Sequence, residues 1–294
     1  MGKRLSLFVA TNLAILVVIG TILYFLNVAG VVPIGGATRL GALMVICLIW
    51  GMGGAFFSLL ISRWVAKWAM GVELIEKNHG DRKLAMVYNM VERCCAQARI
   101  PVPEVGYYES DEVNAFATGP SKKKSLVAVS TGLLAVMKKD EVEGVIAHEV
   151  AHIANGDMVT MTLLQGVINA FVLFFARIIA WAVRQALDSE IAWLVSFVVY
   201  ILMTIVLSIL GSMITSWFSR KREFSADAGG AEYAGRDKMI AALRRLQTTH
   251  DLVDAKSVPA LNSMKISGQS RFMQLFSTHP RLEKRIARLE GRVR

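Results

Sequence analysis

Long runs without a charged residue limit the fold of this chain more than any other feature. They cover residues 5–26, 40–61, 158–176 and 191–218. At 1.5 Å per residue, each is long enough as a helix to cross about 30 Å of hydrocarbon. Hydrophobic residues make up 54% of the 294 residues, above the roughly 45–50% of ordinary soluble domains. We therefore predict four transmembrane helices.

Charged residues and turn formers concentrate between and after these runs. The sequence therefore predicts a soluble domain that is interleaved with its own membrane anchors. Its organisation is expected to be two transmembrane helices in 1–62, a soluble segment in 63–157, two further spans in 158–218 and a second soluble segment in 219–294.

Basic residues mark one end of most runs. Clusters begin at Lys3, Arg63 and Arg220, and such clusters favour the cytoplasmic side. We expect both termini and both soluble segments to be cytoplasmic. Arg177 and Arg184 interrupt the far end of the third run, and we expect them to extend toward the interface. A hairpin of the third and fourth runs lying in the interface stays open as an alternative.

The net charge of +10 is accompanied by no zinc-finger, RNA-binding or helix-turn-helix motif. We expect the lipid bilayer, not nucleic acid, to be the partner of these basic residues. Cys47, Cys94 and Cys95 are too few and too poorly spaced for a disulfide framework. This fits a domain on the reducing side of the membrane.

Local patterns predict a mostly helical domain with a small sheet. Asp140 with Glu143 resembles a capping box and is expected to open a helix. Residues 248–276 contain Pro259 and Gly268 and are expected to form a long surface segment. The other predicted helices cover 81–99, the end of the fourth run through Tyr233, 237–246 and 282–289, and the strands cover 104–108, 114–118 and 126–130.

The helix that follows Asp140 contains a metal-binding pattern. His148-Glu149-Val150-Ala151-His152 matches His-Glu-x-x-His, whose i, i+4 spacing places both imidazoles on one face of a helix. Two such nitrogen ligands suit tetrahedral zinc. Glu149 lies where it can hold the attacking water and accept its proton.

A catalytic zinc needs a third protein ligand. Glu223 is a candidate, and Asp227 follows one turn later, where it could accept a proton from a ligating histidine. Spacing alone leaves a second interpretation open, in which the two acids neutralise the basic cluster at Arg220.

Four motifs in this order resemble the HtpX heat-shock membrane proteases of bacteria, which belong with the CAAX prenyl proteases among the gluzincins. The motifs are NAFATG at 114–119, HEVAHIANGD at 148–157, EFSAD at 223–227 and THP at 278–280. The resemblance implies an α+β gluzincin-type zinc protease domain, mostly helical with a small sheet, interleaved with four transmembrane helices. It also implies a multi-pass protein of the bacterial inner membrane with a cytoplasmic active site.

The resemblance implies roles for individual residues. Glu223 becomes the third ligand of a single zinc ion per chain, and Asp227 its companion bonded to His148. His279 becomes the group that stabilises the oxyanion. Asn155 and Asp157 are expected to end the helix or brace the site. An edge strand that binds extended substrate includes Asn114, Ala115, Phe116 and Ala117.

The expected function is cleavage of misfolded or unassembled membrane proteins in protein quality control and the stress response. A dedicated processing peptidase for a specific membrane or lipidated substrate stays open as an alternative. A non-enzymatic scaffold is disfavoured because the chain retains the base Glu149. Substrate identity and oligomeric state do not follow from the sequence.

Overall fold

A computed structural model of the chain describes residues 37–187, 190–256 and 277–292. The described elements, in chain order, are α1 (Ala37–Met70), β1 (Glu73–Leu74), α2 (Arg82–Ala98), β2 (Glu104–Tyr108), β3 (Ala115–Ser121), β4 (Lys124–Ser130), α3 (Thr131–Val136), α4 (Lys139–Asn155), α5 (Asp157–Ala186), α6 (Ala192–Ala234), α7 (Arg236–Lys256) and α8 (Leu282–Leu289).

Three of the described helices are long and apolar enough to cross a membrane, within Gly41–Met70, Asp157–Ala186 and Ala192–Ala234. They contain the second and third predicted runs and all of the fourth except its first residue, Ile191. Each helix continues past its apolar run because charged residues end the hydrophobic pattern without ending the helix. The first predicted run, 5–26, lies outside the described residues.

The chain divides into two compact units. Among the described residues, the apolar unit comprises 37–57 and the part of 161–215 outside 188–189, and the mixed unit comprises 58–160, 216–256 and 277–292. Inside the apolar unit, Gly51 lies so close to α5 that a Cβ atom there would be 2.5 Å from the backbone nitrogen of Ala170. The expectation that Arg177 extends to the interface is wrong. This side chain is buried with its guanidinium carbon 5.8 Å from the centre of the Tyr200 ring.

The sheet of the mixed unit has the strand order β1-β2-β4-β3. β2 and β4 are parallel, and β3 pairs antiparallel with β4 in a hairpin. All three predicted strands are present, although β3 and β4 reach further toward their shared turn. β1 and α3 were not predicted because elements of two and six residues carry almost no periodic signal. The order places β3 at an edge.

The capping box of helix α4 lies two residues earlier than the sequence predicted, with Lys138 in place of Asp140 at the N-cap. Glu141, not Glu143, returns to the helix start, where its Oε2 accepts a hydrogen bond of 2.7 Å from the Lys138 backbone N–H. Glu143 is instead buried, and it accepts hydrogen bonds from Arg93 and Lys238 at 2.9 and 2.7 Å. These long-range partners override the local capping pattern. They tie α4 to α2 and α7.

Helix α4 packs within the core of the mixed unit. Gly144 allows α7 to approach, since a Cβ atom there would lie 2.5 Å from the carbonyl oxygen of Lys238. Cys94 and Cys95 on α2 belong to the same core, and burial raises the pKa of each thiol to about 12. Both therefore remain protonated packing groups near neutral pH.

Two further helices differ from expectation in length. α6 runs without interruption from the fourth apolar run past Glu223, as predicted. α7 extends to Lys256, so the prediction of an irregular surface segment is wrong for 248–256. Residues 257–276 of that segment lie outside the described part of the chain.

Candidate active site

Two helices of the mixed unit meet at the predicted site. α4 contributes His148 and His152, and α6 contributes Glu223. Their approach depends on small residues. A Cβ atom at Gly230 would lie 3.2 Å from the backbone nitrogen of His148, and one at Gly229 would lie 2.9 Å from the Ala151 side chain. The glycines therefore let the carboxylate of α6 reach the imidazoles of α4.

The three predicted ligands converge. One donor atom each from His148, His152 and Glu223 lies within 4.8 Å of the others. The two Nε2 atoms are 3.2 Å apart. The Glu223 oxygens lie 3.5 Å from His148 Nε2 and 3.3 Å from His152 Nε2.

This donor set fits a zinc ion. Two imidazole nitrogens and one carboxylate form a set of three protein ligands used by catalytic zinc, with a fourth position left for water or substrate. Glu223 is 2% exposed, and its Oε2 makes no hydrogen bond of suitable geometry with the described residues. A buried carboxylate oxygen without such a bond is costly unless a cation or donor satisfies it.

Each histidine also has a carboxylate behind it. His148 Nδ1 lies 3.0 Å from Asp227 Oδ1, and His152 Nδ1 lies 2.6 Å from Asp157 Oδ2. A proton shared with a carboxylate on Nδ1 leaves Nε2 free as a ligand and fixes the ring orientation. Asp227 therefore lies where the resemblance implied. Asp157 contacts His152, which agrees with the second of the two roles expected of it, bracing the site.

The electrostatics of the site follow from these contacts. Burial disfavours protonation of His152, yet hydrogen bonds with Asp157 and Glu223 raise its pKa to about 10. Burial likewise disfavours a charged Glu223, but the close approach of the His148, His152 and His279 imidazoles to its carboxylate holds its pKa well below the ordinary value. The carboxylate is thus anionic at neutral pH, the form that a metal ligand requires, whereas His152 must release a proton when it binds a metal.

Arg285 is a site residue that the sequence analysis missed. It is buried on α8, where Nε and Nη2 donate to Asp227 at 2.8 and 2.6 Å. Its Nη1 lies 3.3 Å from Glu223 Oε2. One sequence signal could have found it. Arg285 shares a helical face with the apolar Leu282 and Ile286, and a charged residue on such a face is seldom buried unless an acidic partner is buried with it.

The remaining predicted residues lie around this cluster. Glu149 is half-buried on α4 between the two histidines. His279 Nδ1 lies 2.9 Å from Glu223 Oε2, and 43% of its side chain is exposed. Asn155 Nδ2 donates to Ser225 Oγ at 3.4 Å and so links the end of α4 to α6, two residues after Glu223.

The predicted substrate-binding strand lies at the sheet edge. Ala115, Phe116 and Ala117 belong to β3 and are partly exposed, while Asn114 precedes the strand and accepts a backbone hydrogen bond from Ser130 at 2.9 Å. β3 also contacts α4. The expected strand is therefore present next to the helix that bears the two histidines.

A His-Glu-x-x-His helix with a glutamate supplied from a second helix defines a metallopeptidase. Residues 81–293 match Peptidase family M48. Protease HtpX homolog of Bacillus licheniformis is 49% identical over 299 residues, which cover 99% of this chain and all of that one. Protease HtpX of Escherichia coli is 45% identical over 295 residues, 97% of each chain.

The chain belongs to peptidase family M48, as an HtpX-type membrane protease. A crystal structure of Ste24p from S. mikatae shares its fold, with a TM-score of 0.63 at 17% sequence identity. That alignment covers 92% of this chain and 62% of the Ste24p chain.

Substitution of Glu223 by Gln is expected to weaken zinc binding and abolish peptidase activity together. A neutral amide would replace the anionic ligand, so the loss of affinity should exceed the roughly 10–100-fold typical of outer-shell partners. Zinc content after dialysis and cleavage of casein measure the two effects. Glu232→Gln, an exposed acid on the same helix, is the control. Normal zinc content in Glu223→Gln would contradict the ligand assignment.

Asp157→Asn is expected to lower zinc affinity about 10–100-fold, because the amide no longer fixes the tautomer of His152 as a carboxylate does. Asp227→Asn should have a comparable effect through His148. Competition with a chromogenic chelator measures both, and Asp237→Asn, an exposed residue of α7, serves as the control. Unchanged affinity in Asp157→Asn would leave this carboxylate only a role in the start of α5.

Proposed function

We propose that this protease is a zinc endopeptidase that cleaves misfolded or unassembled membrane proteins at the cytoplasmic face of the bacterial inner membrane. One zinc ion per chain would be held by His148, His152 and Glu223. The observation that carries the proposal is the convergence of these ligands within 4.8 Å of one another.

The chemistry of peptide hydrolysis divides among the chain's own residues. Zinc, when bound, supplies a Lewis acid that activates water and polarises a carbonyl group. Glu149 accepts the proton of the attacking water and delivers it to the leaving amine. Its position one residue after His148, on the same helix and half-buried, supports this role.

His279 and Arg285 have different roles in the proposed reaction. The exposed part of His279 can donate a hydrogen bond to the oxyanion while its Nδ1 faces Glu223. Arg285 is a positioning residue, because it holds Asp227 through two hydrogen bonds. Asp227 in turn orients His148.

Substrate recognition is expected at the outer edge of β3, which pairs with none of the described strands. The strand pairs with β4 on one side, and it is the last strand of the sheet order. An extended segment that adds to this edge is held mainly by main-chain hydrogen bonds, which are largely independent of side-chain identity. Unfolded chains offer such segments, whereas folded proteins keep theirs paired. This supports misfolded or unassembled proteins as substrates.

The position of the ligands in the chain supports membrane proteins as the substrates. α5, an apolar helix long enough to span, begins at Asp157, only five residues after His152. α6 carries an apolar run and Glu223 on one continuous helix. Ligands so close in sequence to spanning segments restrict the site to the vicinity of the bilayer, where unassembled membrane proteins project.

Glu149→Ala is expected to retain zinc but to lose cleavage of casein, because the base is removed while His148, His152 and Glu223 stay. Asp140→Ala, an exposed acid of the same helix, should remain active. Zinc content and casein degradation in detergent are measured side by side. Substantial cleavage by Glu149→Ala would rule out this residue as the base, and loss of zinc would show that it supports the metal.

The proposed topology is tested with a membrane-impermeant thiol reagent on intact cells. Ser189→Cys should be labelled, and Lys122→Cys, at the exposed turn between β3 and β4, should not. The native cysteines are buried, so the unsubstituted protein gives the background. Labelling at neither position would favour an interfacial hairpin of the third and fourth runs. Labelling at Lys122→Cys would contradict a cytoplasmic active site.

A further inference from the structure

Three large apolar side chains form an exposed ridge at the end of α1. Leu60, Trp64 and Trp68 follow one another at intervals of four residues, so they share one face of the helix. They are 66%, 65% and 77% exposed. All three belong to the mixed unit. We call this set the tryptophan ridge.

The tryptophan ridge is held in a fixed orientation. The rings of Trp64 and Trp68 stack with centres 6.3 Å apart and planes within 4° of parallel. On the neighbouring strip of the helix, Arg63 and Lys67 bind the two carboxylate oxygens of Glu104 at 2.8 and 3.0 Å. These ion pairs tie the end of α1 to the start of β2. The helix therefore cannot rotate the ridge inward without breaking both.

The ridge lies at the end of the second apolar run, on the same helix. Earlier on α1, Ile49 and Phe57 are 63% and 64% exposed within the second apolar run. Arg63 is the first charge after that run. At 1.5 Å per residue, Trp64 and Trp68 lie about 5 and 10 Å beyond Ile61, and the headgroup region is roughly 5–7 Å thick on each side of the hydrocarbon. The ridge thus begins with Leu60 at the end of the apolar run, has Trp64 at headgroup depth and reaches the aqueous side of the headgroups at Trp68.

The chemistry of the side chains matches that layer. Tryptophan concentrates at membrane interfaces because its ring is apolar while its indole N–H donates a hydrogen bond. An exposed tryptophan with a basic residue nearby is also found where the apolar run of α6 ends. Trp217 is 57% exposed there, and Lys221 Nζ lies 5.7 Å from its ring centre.

We infer that the tryptophan ridge inserts into the phospholipid headgroup layer and, through Glu104, anchors the sheet of the mixed unit to the membrane surface. The indole N–H groups donate to phosphate or ester oxygens of the lipid. This inference rests on the membrane insertion of α1 and not on proteolysis, so it can hold even if the proposed function fails.

The test uses the full chain with the Glu149→Ala substitution, which prevents self-cleavage. It is labelled with 5-fluorotryptophan and placed in nanodiscs of phosphatidylethanolamine and phosphatidylglycerol. Single Trp→Phe substitutions assign each fluorine NMR signal. Line broadening is then compared between a lipid that carries gadolinium on its headgroup and a gadolinium chelate free in the buffer. Trp50, in the middle of the second apolar run, is the internal control.

The headgroup-bound ion should broaden the signals of Trp64 and Trp68 several-fold more than that of Trp50. The free chelate should broaden them several-fold less than it broadens 5-fluorotryptophan dissolved in buffer. Strong broadening by the free chelate alone would overturn the inference, because the ridge would then face water. Protection from both agents would also overturn it, because a protein surface, such as a second copy of this chain, would then cover the ridge.

Discussion

The close approach of α4 and α6 is the constraint on which the site depends. Gly229 and Gly230 allow a helix backbone to lie against Ala151 and His148, and this contact brings a buried carboxylate to two buried imidazoles. Such a cluster is unstable if its charges are unmatched. Here every charge has a counterpart, since Glu223 faces the histidines and Arg285 binds Asp227. A side chain at either glycine would push the two helices apart and so disrupt the site even though His148, His152 and Glu223 were unchanged.

The local features of the site could be predicted from the sequence, and the long-range ones could not. The i, i+4 spacing of His148 and His152 is a property of a single helix, so it needs no knowledge of the fold. Glu223 is separated from them by the third and fourth apolar runs. Only the EFSAD motif distinguished it from an acidic residue on the surface. Arg285 lies still further along the chain, and its partner Asp227 is visible only once α8 has packed.

The fold shows the same division. Helix bounds and strands that carry their own periodicity were predicted closely, as for 104–108 and 282–289. The start of α4 was misassigned because Glu143 matched a capping pattern, yet tertiary ion pairs with Arg93 and Lys238 recruit it. Arg177 was misassigned for a related reason. Its sequence position suggests an interfacial side chain, but the packing of α5 buries it beside Tyr200.

The proposed site holds a single zinc ion through two imidazoles and one carboxylate. X-ray absorption at the zinc edge, on purified protein with its metal content determined, measures the ligand set itself. We expect one zinc per chain with nitrogen and oxygen ligands only, at about 2.0–2.2 Å. A scattering shell at about 2.3 Å, the zinc–sulfur distance, would place the metal at the cysteines and rule out this ligand set.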